Sequence, residues 1–272
     1  MPSGSPESGE SPGFRLDTRT PHSARVWNYL LGGKDNFAAD REVSDMMMQI
    51  YPGLIHLARE QFRFLVRSVR YLAGEAGIRQ FLDVGVGLPV SVGTHQIAQK
   101  IAPESRIVYV DSDPLALVHA SALLTSAPGG MTSYVEASVR DTEEILEESA
   151  RTLDFGRPIA VMMLGVLGQL PDSARPGAIV TRLLGALPPG SYLALSDRTD
   201  TSSALSQAIT VYNQLAADSY HLRSPQEIAG FFDGLMLVPP GVVTISRWRP
   251  EMTVASTGPR VVDAVGGVGR KG

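Results

Sequence analysis

Between about residues 78 and 198 the chain alternates short apolar runs with longer helical ones, and this rhythm restricts the fold more than any other feature. The runs are "QFLDVG", "RIVYVD", "TSYVEA", "PIAVMML" and "SYLALS". None has the polar alternation of a strand with one wet face, so each reads as a strand covered on both sides. Between them come "SVGTHQIAQKI", "DPLALVHASALL" with Asp113 as N-cap and Pro114 at the first helical position, a helix from about Thr142 and another from Ala174 to Ala186. Strand and helix in this order predict an α/β fold with a doubly wound, mostly parallel sheet. The later stretch "LMLVPPGVVTISRWRP" reads as a hairpin whose Pro-Pro-Gly turn adds an antiparallel edge strand.

Three helices precede the first strand. Ser23 is the candidate N-cap of the first and Gly32-Gly33 its stop; the second runs from about Ala38 to the break at Pro52. The third carries Leu54, Leu57, Ala58, Phe62, Leu65, Val69 and Leu72 at helical spacing and ends near Gly77. Residues 1–20, rich in Ser, Gly, Pro and Glu, bury too little apolar surface to offset ordering and form a disordered tail. Residues 21–77 are then a helical lid or cap, 78–250 the core, and 251–272 a second loose tail. A net charge of −4 without a run of Lys or Arg argues against nucleic acid and anionic membranes as partners. The absence of cysteine removes thiolate catalysis and Cys-ligated zinc, and accords with a cytoplasmic enzyme. No metal site is expected. The start "MPSGSPESGESPGF" lacks the apolar centre of a signal peptide, and the longest apolar run, Pro158 to Leu167, is too short to span a bilayer.

In a doubly wound sheet, ligands sit beyond the carboxyl ends of the strands, so the turns there carry the functional signal. In "LDVGVGLPV" Asp83 closes the first strand, and Gly85 and Gly87 let the backbone approach a ligand. The third glycine of a dinucleotide fingerprint would fall at Val90, which follows Pro89, so NAD is disfavoured. The next strand ends at Asp111, 24 residues after Gly87, where a carboxylate can accept both hydroxyls of a ribose. The plainer alternative is a solvated Asp111 beside an N-capping Asp113. The third turn, "ASVRD", offers Ser138, Val139, Arg140 and Asp141 to a base edge, though Arg140 and Asp141 equally suit a surface pair. A GxG, an acid and a polar turn after successive strands describe a site for ribose and purine without a diphosphate, which is the chemistry of S-adenosylmethionine.

Ahead of the sheet stands "HSARVWNYLLGGKDNFAADR". With "FLDVGVGLP", "VYVDSDP" and "LPPGSYLALS", it resembles the actinobacterial S-adenosyl methyltransferase family from about Pro21 to Pro250; that family reads "ARVYDYLLGGKDNFAADR", "FLDIGTGLP" and "VYVDNDP". The resemblance implies a seven-stranded class I methyltransferase sheet with S-adenosylmethionine as cofactor. It makes the opening stretch a lid over the strand ends, with Arg25, Tyr29, Gly33, Lys34 and Asn36 reaching the methionine end of the cofactor or the acceptor. The departures fall elsewhere. After the fourth strand the family reads Val-Leu-His-Phe, whereas "VLGQL" puts Gly168 and Gln169 in place of an imidazole and an aromatic. Ser138 replaces an acid, Val86 a threonine, and Gln61 and Phe62 an Asn-Arg pair.

Methyl transfer from a sulfonium depends on positioning, and a general base helps most when the acceptor is a hydroxyl. With the imidazole replaced, Tyr29, Lys34, Glu60 and Asp197 are the catalytic candidates, Asp35 and Asn36 being further polar groups of the opening stretch. Val166 joins the cofactor set; Met47, Gly168 and Gln169 form the candidate acceptor set, although Met more often fills a gap. His22, His95 and His221 stand alone, and Trp27 and Trp248 suit packing. The expected function is S-adenosylmethionine-dependent methylation of a small molecule, in specialised metabolism. Non-methylating chemistry such as a cyclisation, or a regulatory module binding the cofactor, are the alternatives. The edge hairpin leaves a homodimer open.

Overall fold

The computed structural model describes residues 17–88, 92–113, 116, 127–250 and 260–272. Its sheet contains β1 (Gln80–Val84), β2 (Arg106–Asp111), β3 (Met131–Glu136), β4 (Ala160–Leu164), β5 (Tyr192–Arg198), β6 (Leu235–Leu237), β7 (Val243–Thr244) and β8 (Ala264–Lys271). The order is β3-β2-β1-β4-β5-β8-β6, with β7 also paired to β8. β1 to β5 run parallel, and β8 is antiparallel to β5, β6 and β7. The strand order reverses between β1 and β4, which places the ligand crevice beyond their carboxyl ends.

Both faces of β1, β2, β4 and β5 are apolar for the reason the sequence indicates, whereas β3, at the sheet edge, is mostly half-exposed and not covered on both sides as expected. Phe81, Ile107, Tyr109, Met162 and Ala194 point to one core, and Leu82, Val84, Val108, Met163 and Leu195 to the other. The first core is covered by α1 (Ser23–Leu30), α2 (Ala38–Ile50), α3 (Leu54–Arg70), α4 (Thr94–Ile101) and the helix Ser203–Leu215. The helices Thr142–Ser149, Pro176–Gly185 and Pro225–Gly230 cover the second. Trp248 is fully buried with its ring edge-on to Phe64 and Tyr71, the packing role expected of it. α3 continues through one π-turn, Tyr71–Glu75, and stops at Gly77, whose φ of +71° suits glycine. No described helix is long and apolar enough to cross a membrane.

Several expectations are corrected. The loose C-terminal tail is, over Ala264–Lys271, a strand inside the sheet, in register with β5 from Arg198↔Ala264 to Tyr192↔Arg270. Glycines 266, 267 and 269 disguise it, because glycine lowers strand propensity. Packing requires them: a Cβ on Gly266 would lie 2.6 Å from the Leu195 carbonyl oxygen. The C-terminal strands are antiparallel as expected, but β6 and β7 each pair with β8 and not with one another. The N-cap of α1 is His22, one residue before Ser23. Two helices carry start signals that the periodicity reading passed over: Ser202 caps Ser203–Leu215, and Ser224 with Glu227 forms a capping box on Pro225–Gly230. The N-terminal tail over residues 1–16, the Pro89–Val90 turn, the helix expected after Asp113 (Ala116 apart) and residues 251–259 lie outside the described residues.

Candidate functional site

A cleft of about 420 Å³ opens at the carboxyl ends of β1, β2, β4 and β5. Its floor begins at the turn after β1. Gly85 has φ +77°, and a Cβ there would run into the Val166 side chain; Gly87 has φ +65°. The Gly87 N–H donates to Oδ2 of Asp111 at 2.7 Å, and the Asp113 N–H donates to its Oδ1 at 2.9 Å. Each carboxylate oxygen keeps a second acceptor site, and Asp111 lines the cleft. Burial pushes its carboxyl pKa up, and the two N–H groups oppose that. The arrangement can accept hydrogen bonds from a pair of hydroxyls. Beside it Ser138, Val139 and Arg140 line the wall after β3, the Ser138 hydroxyl accepting from the Arg140 N–H at 3.3 Å.

The other end of the cleft is built on β4 and β5. Gly165, Val166, Gln169, Asp197 and Arg198 line it. Asp197 is 1% exposed; its Oδ1 accepts from the Tyr220 hydroxyl and from the Arg198 N–H, while Oδ2 has no hydrogen-bond partner. Burial raises its pKa, against the pull of Tyr220 and of the neighbouring guanidinium groups. Tyr220, buried beside this carboxylate, has its phenol pKa raised well above the usual value. The roof comes from the N-terminal helices: His22, Ser23, Ala24, Val26, Trp27 and Leu30 at α1, Met47 from α2, and Leu54 and Gln61 from α3. Gln61 donates to the Ser196 hydroxyl at 2.7 Å, tying α3 to β5 at the cleft floor.

The structure thus gathers Asp111, Gly85, Gly87, Ser138, Val139, Val166, Met47, Gln169 and Asp197 around one cavity. The other sequence candidates lie elsewhere. Arg25 is buried, with Nε 3.2 Å from Asp40 and its other nitrogens on the carbonyls of Asp17 and Thr20. Asn36 donates to Oδ1 of Asn28 at 2.9 Å, and the Asp35 N–H reaches the same oxygen at 3.0 Å. Gly33 is needed because a Cβ would strike the Asn28 side chain. Tyr29 donates to Asp45 at 3.0 Å, and Lys34 is exposed. The polar residues of this distinctive stretch therefore build the joint between α1 and α2; from the stretch, His22, Ser23, Ala24, Val26, Trp27 and Leu30 reach the cleft. Asp83 is spent on the Thr94 hydroxyl at 2.6 Å, and Glu60 pairs with Arg63.

Gly168 does not face the cavity, because Tyr220 stands in the way. A Cβ at that position would fall inside the Tyr220 ring, so the phenol occupies the room an imidazole would need. Tyr220, Arg198, Trp27 and His22 line the cavity and were not among the site candidates of the sequence. Arg198 directly follows Asp197 in β5 and was within reach of strand-end logic; Tyr220 comes from an irregular segment that no periodicity marks. His22, read as an isolated histidine, lies on the rim with Nδ1 3.2 Å from Asp113. His95 is buried, its Nδ1 2.8 Å from the Tyr109 hydroxyl. Among the described residues no His, Cys, Asp and Glu group is gathered as a metal ion would require.

Comparison with known proteins gives concordant findings. A family model described as S-adenosyl methyltransferase matches residues 9–272. A DUF574 family protein from Streptomyces avermitilis MA-4680 has a similar structure, with TM-score 0.91 and 42% identity over 95% of this chain and 100% of that one. A candidate methyltransferase from Thermobifida fusca YX gives TM-score 0.85 and 41% identity over 94% and 96%. A SAM-dependent methyltransferase from Anabaena variabilis ATCC 29413, 12% identical over 95% and 100% of the chains, shares the fold at TM-score 0.51. No curated protein matches the chain.

Proposed function

The chain belongs to the S-adenosyl methyltransferase family, and from that premise we propose that S-adenosylmethionine lies across the ends of β1, β2 and β4 and that a small-molecule acceptor enters beside β5. One observation carries the placement. Asp111 is held by two backbone N–H groups, is nearly buried, and keeps an acceptor site on each oxygen toward the cleft, as a ribose diol requires. Val139 and Ser138 stand beside it for the adenine, and Gly85, Gly87 and Val166 let the backbone close on the methionine end. When bound, the cofactor supplies an electrophilic methyl group on a sulfonium.

The protein's contribution is position and exclusion of water. α1 roofs the cavity with Val26, Trp27 and Leu30, and Met47 and Leu54 continue that apolar surface. We take residues 21–77 as a lid on this basis, and the acceptor as small because its place lies beneath the lid. Calorimetry tests the reading. S-adenosylhomocysteine and S-adenosylmethionine bind and NAD does not, and Asp111→Ala weakens S-adenosylhomocysteine by about 10- to 100-fold, the range for losing charged hydrogen bonds. Unchanged affinity in that variant contradicts the assignment.

A further inference from the structure

Two charged groups at the β5 end of the cleft lack the partners that their surroundings would normally demand. Oδ2 of Asp197 is buried without a hydrogen-bond donor, although leaving a buried charged atom unpaired is costly. The Arg198 guanidinium is held by ring faces, 4.7 Å from the Trp27 centroid and 4.1 Å from that of Tyr220. Among the described residues no hydrogen bond or ion pair reaches it. Arg223 shows the contrast, its nitrogens bound to the carbonyls of Leu167 and Leu170 and to Asp172. Guanidinium stacking fixes the plane of Arg198 and leaves its N–H fork free for a planar anion. Both groups line the cavity.

We propose that Asp197 and Arg198 bind the methyl acceptor, and that this acceptor is a hydroxy acid whose carboxylate pairs with Arg198 and whose hydroxyl donates to Oδ2 of Asp197. The inference rests on the cofactor placement above. Tyr220 holds Oδ1 of Asp197 and leaves Oδ2 the oxygen without a partner, which makes Tyr220 a positioning residue. A buried carboxylate base favours a hydroxyl over an amine, because an amine needs no base once neutral. In the transfer the hydroxyl proton passes to Oδ2, the oxygen gains the O–CH3 bond, and the pair of the broken S–CH3 bond stays on the sulfur as a neutral thioether. The carboxylic acid of Asp197 then returns its proton to water. The apolar roof contributed by Val26, Trp27 and Leu30 suits an acid with an apolar body.

The test loads the full chain with S-adenosylhomocysteine and measures binding of salicylate, mandelate and coumarate, each against its neutral amide. The proposal expects at least one acid to bind about tenfold tighter than its amide, and Arg198→Gln to erase that preference while S-adenosylhomocysteine still binds. With S-adenosylmethionine and the bound acid, Asp197→Asn lowers kcat by about 100-fold with little change in KM, and Tyr220→Phe lowers kcat less. Equal binding of acid and amide, or no acid bound to the loaded protein, overturns the proposal and leaves the cofactor placement standing. Full kcat in Asp197→Asn overturns the role given to that carboxylate. Failure of S-adenosylhomocysteine itself to bind removes the cofactor placement, and this proposal with it.

Discussion

Asp83 and Asp111 illustrate how two acids at the ends of adjacent strands take different roles. Asp111 faces the cavity with free acceptor sites, whereas Asp83 is turned toward Thr94 and pushed by burial up to about 6, with Asp111 adding to the rise. Its folded value lies above the ordinary 3.8, so between those values the folded state holds the extra proton. Stability therefore rises as pH falls through about 6 and levels off below about 4. A two-unit shift corresponds to roughly 3 kcal/mol at most. Burial raises Asp111 and Asp197 in the same direction, so a variant comparison is needed to isolate the effect. Asp83→Asn gains stability over the parent at about pH 7, and the gain disappears by about pH 4. Urea titrations across that range check it, and a gain independent of pH would contradict it.

The N-terminal helices and the C-terminal strand show what an element owes to contacts distant in sequence. Arg25 with Asp40, and Asn28 with Gly33 and Asn36, form two polar joints between α1, its turn and α2, and removing one partner of a buried ion pair such as Arg25–Asp40 costs about 3–5 kcal/mol. The stretch looks functional in the sequence because it concentrates polar residues, and a joint of this kind gives the same signal as a ligand site. β1 to β5 were legible because apolar runs need no knowledge of their neighbours. β8 was not, because its glycines make sense only against the backbone of β5 and the side chain of Leu235. Removing residues 260–272 leaves β5 unpaired on one side and deprives β6 and β7 of their partner. The truncated chain is expected to lose cooperative unfolding and near-ultraviolet circular dichroism; a native-like transition would contradict that place for β8.

At the scale of the molecule, the cleft lies where the strand order reverses, and the N-terminal helices that roof it share the core of the sheet. That Asp111, the glycine turn and the wall after β3 line the cleft was readable, since each follows a strand directly. The β5 end was not: Asp197 stood out only as one of four catalytic candidates, and its setting comes from Tyr220, 23 residues further on, filling the space beside Gly168. In the proposed reading, cofactor capture and acceptor choice occupy opposite ends of one cavity. The most direct measurement is a crystal structure of the full chain grown with S-adenosylhomocysteine. The account predicts both ribose hydroxyls on the Asp111 carboxylate, the adenine against Ser138 and Val139, and Asp197 and Arg198 left free on the β5 side. A nucleoside bound away from Asp111, or a homocysteine tail occupying Asp197 and Arg198, would contradict it.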